Sequence, residues 1–129
     1  MESPLIDRLV DELHYPRVDA SNLNDILAEA GERVLFLTGD PVKNLETNDL
    51  AVILPELQRA FAGRLNPAVV DRSIEQSLKE RFDIWPVPSL IFLKDGEMRG
   101  AIAKVRDWAD YLSEIATILD RPAAPRALH

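Results

Sequence analysis

The chain has 129 residues, 47% of them hydrophobic, which suits one compact domain able to bury its apolar surface without metals or disulfides. Its 15 basic and 22 acidic residues leave a formal charge of -7, which argues against general affinity for nucleic acid or anionic lipid. There is no cysteine, so thiol–disulfide exchange has no nucleophile.

The start, Met1 to Asp7, lacks the positive region and apolar core of a secretory signal, and no apolar run approaches the roughly 20 residues of a membrane span. A cytoplasmic location without membrane insertion is the expectation. Ser3 followed by Pro4 makes a helix start, a capping hydroxyl and then a residue whose missing amide would have been unpaired anyway. Leu5, Leu9 and Leu13, with Ile6 and Val10 beside them, keep one stripe apolar until His14-Tyr15-Pro16 ends the helix. A second helix over 22–30 gathers Leu23, Ile26, Leu27 and Ala30 and stops at Gly31 as a left-handed cap. Residues 1–31 are thus expected to be a helical extension of a single domain spanning 1–120. The segment 121–129, with two prolines, is expected to be a flexible tail.

Residues 33–38 are continuous and apolar enough for a strand covered on both faces. The stretch 39–48, with glycine, proline and two asparagines, is expected to be a loop leading into a helix over 49–62. Pro55 inside that helix removes a backbone hydrogen bond and costs about 3 kcal/mol unless the architecture wants a bend. A short strand over 68–71 follows, then Ser73 and Gln76 as a capping box for a helix running to Phe82. Strands over 89–94 and 98–104 flank Asp95-Gly96, the signature of an antiparallel hairpin. Asp107 is placed to cap a last helix in which Trp108, Tyr111, Leu112, Ile115 and Leu119 share one side, so Trp108 is expected in the core.

The order βαβ, helix, hairpin, helix resembles the thioredoxin fold, an α/β arrangement with a central mixed sheet of four or five strands flanked by helices. Pro55 is similar to the proline that bends the long helix after a thioredoxin active site, and Val87-Pro88 resembles the cis peptide facing that site. Narrower marks are Gly39 to Asp49, Pro55-Glu56-Leu57 and Arg106-Asp107-Trp108, which resemble the HyaE/HupG/HoxO family of hydrogenase expression proteins. Membership implies a redox-inactive, non-enzymatic chaperone that needs no cofactor. Its expected partner is the small-subunit precursor of a [NiFe] hydrogenase, bound together with its twin-arginine signal peptide before export.

Two surfaces carry the candidate contacts. Asp40, Glu46 and Asp49, with Glu56 further along the helix, would form an acidic rim suited to consecutive arginines, because arginine and carboxylate can pair through two hydrogen bonds. The plainer alternative is that Asp49 or Thr47 caps the helix and Asp40 serves a turn. Trp85, Val87 and Pro88 form the second surface, an aromatic anchor beside an open peptide edge, with packing of Trp85 on Phe82 as the alternative. The two histidines, His14 and His129, suggest no triad or metal site. Rival readings are a glutathione-handling transferase, using Thr38 or Thr47 as a hydroxyl donor, and a thioredoxin-like interaction module that forms homodimers.

Overall fold

The computed structural model describes residues 3–120, so the expectation for 121–129 lies outside the described residues. Five strands form one sheet in the order β1 (Arg17–Val18), β3 (Pro67–Val70), β2 (Glu32–Leu37), β4 (Ser89–Lys94), β5 (Glu97–Ala103). The first three run parallel, and β4 and β5 are antiparallel to their neighbours, so the sheet is mixed. Helix α1 (Pro4–Asp11) precedes the strands, α2 (Leu23–Ala28), α3 (Glu46–Ala60) and α4 (Glu75–Phe82) connect them, and α5 (Trp108–Leu119) follows β5.

Alternation along the strands divides the core into two layers. Val34 and Phe36 of β2, with Leu90 and Phe92 of β4, face Leu9 of α1, Leu54 of α3 and Tyr111 of α5. Leu35, Leu37, Ile91 and Leu93 point the other way, against Leu78 of α4 and the partly buried Leu23 and Ile26 of α2. The fold is therefore the helix-covered mixed sheet expected, with five strands. Strand β1 has only two residues and was not anticipated; it is held by Val69 N–H donating to Pro16 C=O and Asp71 N–H donating to Val18 C=O, both at 2.8 Å.

Several local expectations need correction. Ser3 does cap α1, its hydroxyl accepting from Ile6 N–H at 3.1 Å, but the helix ends at Asp11, before His14. Gly31 has φ +93, yet α2 stops earlier, at Ala28, where Glu29 turns extended, and Gly31 instead joins the hairpin turn through its N–H to Asp95 Oδ1 at 2.7 Å. Asp71, not Ser73, supplies the cap before α4, accepting from Ser73 N–H at 3.0 Å, while Gln76 donates to Glu80. Helix α3 begins at Glu46, three residues before the expected start, so Glu46 is a helical rather than a loop residue. Trp108 is 45% exposed; the buried stripe of α5 is Tyr111, Ile115 and Ile118, and Trp108 precedes it at the first helical position.

Candidate functional site

Three segments converge where β2 ends. Leu37 pairs with Ser89 and Ser89 with Ala103, which brings Thr38–Gly39, Val87–Pro88 and Lys104 side by side at one end of the sheet. The Val87-Pro88 peptide bond is cis, as expected, and Pro88 is buried. In open α/β sheets this carboxyl end of the parallel strands is where ligands usually bind.

Gly39 fixes the entry to the loop. Its φ is +68, and a Cβ there would lie 2.7 Å from Val87 Cγ2 and 2.9 Å from Asn44 Nδ2, so only glycine lets loop and Val87 pack this closely. Its N–H donates to Oε2 of Glu75 at 2.9 Å, a carboxylate that is buried and also 3.6 Å from Arg72. Charge-assisted bonds of this kind are among the stronger ones. Sequence reasoning did not single out Glu75, because a glutamate in the first turn of a helix normally only favours the positive end of the dipole.

Asp40 turns inward on its own loop. Its Oδ1 accepts from Val42 N–H at 2.9 Å and its C=O accepts from the amides of Lys43 and Asn44. The Val42 bond is the main reason its carboxyl is held below the usual carboxylate range, with Arg72 and Lys43 adding to it. Glu46 Oε1 accepts from Val105 N–H at 2.9 Å, tying the start of α3 to the segment between β5 and α5. Glu56 lies nearly three turns beyond along α3 and pairs with Arg59 at 3.0 Å. The Asp49 side chain is exposed and makes no hydrogen bond or ion pair among the described residues. Thr47 does not cap the helix; its hydroxyl donates to Thr38 C=O at 2.6 Å, and the Thr38 hydroxyl donates to Gly39 C=O at 2.9 Å.

The second surface is partly occupied by the chain itself. Val87 C=O accepts from Lys104 Nζ at 2.9 Å, and Pro88 C=O accepts from Lys104 N–H at 2.8 Å. The Ser89 hydroxyl donates to Pro86 C=O. Trp85 stands half-exposed, its Nε1–H donating to Asp83 Oδ1 at 2.8 Å. Between the two surfaces lies a cleft of about 200 Å³ lined by Lys43, Asn44, Leu45, Glu46, Pro88 and Lys104. Of the expected contact residues, Glu46 and Pro88 line it, Asp40 and Val87 adjoin it through their carbonyls to Asn44 Nδ2 and Lys104 Nζ, and Asp49, Glu56 and Trp85 are not part of its wall.

Val42 and Leu45 were not singled out in the sequence, yet they are 76% and 78% exposed; Leu45 lines this cleft, and Val42 precedes it on the same loop. Their only sequence signal was an apolar side chain in a polar loop. Among the described residues no cluster of three or more histidine, aspartate or glutamate side chains is placed to hold a metal, and no helix is long and apolar enough to cross a membrane.

Comparison with known proteins adds to this geometry. Residues 5–111 match the family model of "Hydrogenase-1 expression protein HyaE". The chain is 43% identical over 123 residues to the hydrogenase expression/formation protein HupG of Rhizobium leguminosarum bv. viciae, covering 92% of this chain and 83% of that protein. It is 42% identical over 123 residues to HoxO of Cupriavidus necator, covering 94% of this chain and 76% of that one. The crystal structure of a hydrogenase expression/formation protein, hupG, from Rhodopseudomonas palustris CGA009 superposes with a TM-score of 0.57 at 40% identity, covering 83% of this chain and 99% of that chain.

Proposed function

The chain belongs to the HyaE family of hydrogenase expression proteins, and from that membership we propose that it is a cytoplasmic, non-enzymatic chaperone of hydrogenase maturation. It binds the small-subunit precursor, together with the twin-arginine signal peptide, at the sheet end formed by Gly39 to Glu46 and Trp85 to Pro88. Asp49 faces solvent on the first turn of α3, where it can meet a basic group of the partner.

One observation carries this reading. At the end of the sheet where a thioredoxin relative holds its nucleophile, this chain holds no cysteine and offers the exposed side chain of Leu45 in one cleft with Pro88, with exposed Val42 on the same loop. Both nearby hydroxyls, on Thr38 and Thr47, already donate to backbone carbonyls and are buried, which weighs against their activating a thiol such as glutathione. A surface without a reactive group but with solvated apolar side chains suits polypeptide capture.

Calorimetric titration of the chain with the intact precursor, and with the precursor lacking its signal peptide, tests the proposal. Saturable binding of the intact form that weakens at least tenfold on removing the signal is the expected result. Equal affinity for the two forms rejects the signal peptide as the bound element, and no binding of either rejects the chaperone reading. Millimolar glutathione is expected to leave the fluorescence of Trp85 and Trp108 unchanged.

A further inference from the structure

The two edges of the sheet differ in what they leave open. Strand β1 forms one edge with only two residues, too short a ladder to extend. Strand β5 forms the other with seven. Between Met98 and Gly100 its register against β4 shifts, an irregularity that discourages further pairing. From Gly100 to Ala103 the register is regular, and Gly-Ala-Ile-Ala includes no lysine, proline or carboxylate to block the edge.

Alternation in the ladder decides which backbone groups of this stretch face outward. Lys104 N–H donates to Pro88 C=O at 2.8 Å, and in an antiparallel ladder every second pair exchanges hydrogen bonds, so Ile102 bonds Leu90 and Gly100 bonds Phe92. Ala101 and Ala103 therefore turn N–H and C=O away from β4. The far side of β4 agrees: Asp95 N–H donates to Gly31 C=O at 2.9 Å, which assigns the odd-numbered residues of β4 to β2. Arg106 Nε donates to the outward C=O of Ala103 at 3.0 Å, whereas neither group of Ala101 has a partner among the described residues. A groove runs beside them. Ile102 shares a core layer with Tyr111, Ile115 and Ile118, but Gly100, on the same face, has no side chain, and about 310 Å³ opens between it and Ser113, Glu114 and Thr117 of α5. Glu114 is the one charged side chain among the described residues of that wall, and its contact with Arg106 is long, at 3.3 Å, and partly solvated.

We propose that an extended segment of the precursor adds to β5 as a sixth strand, pairing its backbone with Ala101 and Ala103 and setting a basic side chain in the groove at Glu114. The inference rests on the chaperone reading and gives it a second contact surface. An extended polypeptide is the ligand that presents donors and acceptors at the spacing of alternate strand residues. Continuity favours the same occupant. Strand β5 ends at Ala103, and the next residue, Lys104, lines the cleft with Pro88, so a chain leaving that cleft continues along the edge. A second copy of this chain is a poorer occupant, since each copy carries a formal charge of -7.

Amide hydrogen exchange of the full chain, followed residue by residue with and without the intact precursor, tests the sixth strand. In the free chain the Ala101 and Ala103 amides are expected to exchange at least about tenfold faster than that of Ile102, and the precursor is expected to slow them by at least about tenfold. Ala101→Pro removes an N–H that the ladder does not use, at a position where edge strands accept proline, and is expected to weaken precursor binding at least about tenfold. Glu114→Gln is expected to weaken it about threefold at low salt, with the difference shrinking as salt rises. Precursor that binds while Ala101 and Ala103 stay unprotected overturns the sixth strand and leaves the chaperone reading standing, whereas no binding at all overturns both. Slow exchange of Ala101 already in the free chain also overturns it, and dependence on protein concentration or on residues 121–129 then identifies a second copy or this chain's own terminus as the occupant. Unchanged affinity of Glu114→Gln at low salt overturns the basic side chain in the groove.

Discussion

Where β2 begins, the chain satisfies itself; where β2 ends, it leaves apolar surface in water. At the first end Glu29 pairs with Arg33 and Glu32 with Arg64, and the Asp95–Gly96 turn folds onto Gly31. A cavity of about 580 Å³ lies there too, between His14, Tyr15, Arg33, Gln58, Arg59 and Asn66. At the other end the cleft is a third of that volume, yet Leu45 in its wall and Val42 on the same loop are each about three-quarters exposed. Volume alone is therefore a poor guide to the docking surface here. The two charged side chains in its wall, Arg33 and Arg59, are already paired with Glu29 and Glu56, whereas a solvated leucine and valine give up about 25 cal/mol per Å² that a partner can recover.

The two ends each depend on a glycine, and replacing either one separates their roles. At Gly96, φ is +79 and a Cβ would sit 2.2 Å from the Leu27 carbonyl oxygen, a backbone atom unable to swing aside. Gly96→Ala is expected to cost about 3 kcal/mol, the sum of left-handed strain and a forced shift of α2 against the hairpin. Thermal denaturation should show a drop of about 10 °C, while the fraction that remains folded binds precursor as before. Gly39→Ala meets side-chain atoms instead, so about 2 kcal/mol is expected, with precursor affinity falling as well because the loop moves off Val87. If Gly39→Ala left affinity intact, the site would not depend on the packing of that loop against Val87.

Glu75 sharpens the same contrast. Its buried carboxylate is the acceptor for Gly39 N–H, so Glu75→Gln keeps the shape but weakens a charge-assisted bond and removes the attraction to Arg72. A loss of about 1–2 kcal/mol in urea unfolding is expected, with a smaller effect on binding than Gly39→Ala. A neutral outcome would mean that Asp40 and its amide bonds hold the loop unaided.

How far the sequence exposed these features follows from how local each one is. The hairpin was legible because Asp95-Gly96 takes left-handed backbone at both residues, the turn chemistry that dipeptide favours. Ser3-Pro4 and the cis bond before Pro88 were legible for the same reason, each resting on the chemistry of one or two residues. Strand β1 was hidden, since two residues have no periodicity and their pairing is supplied by β3, about 50 positions away. The start of α3 was misplaced because Leu45, at its cap position, makes no side-chain cap, and tertiary bonds from Thr47 to Thr38 and from Glu46 to Val105 set the boundary. Trp108 shares a helical spacing with buried residues, but spacing says nothing about where the sheet beneath a helix ends. The exposed Leu45 was missed for a related reason: hydrophobicity is written in the sequence, and exposure is not.

Alkaline titration makes the smallest distinction between the two ends, because each has one buried tyrosine. Tyr15 donates to Gln58 Oε1 at 2.6 Å, and burial pushes its pKa up to about 12 from an ordinary 10. Tyr111 donates to Lys104 C=O at 3.1 Å and accepts from Arg106 N–H at 3.2 Å, and burial raises its pKa as well. A raised folded-state pKa means that the native state binds the proton more tightly than the unfolded chain. The resulting stability is complete below pH 10 and is lost as pH climbs toward 12. Tyr15→Phe is expected to cost about 1 kcal/mol at neutral pH and to flatten part of that alkaline decline, without affecting precursor binding. Tyr111→Phe should flatten the decline too, but it frees the segment carrying Lys104 and therefore weakens binding by a few fold at neutral pH. Urea midpoints measured from pH 7 to pH 11, with a binding titration at pH 7, separate the two. Equal loss of affinity in both variants would show that the ends of the sheet are coupled through the core they share.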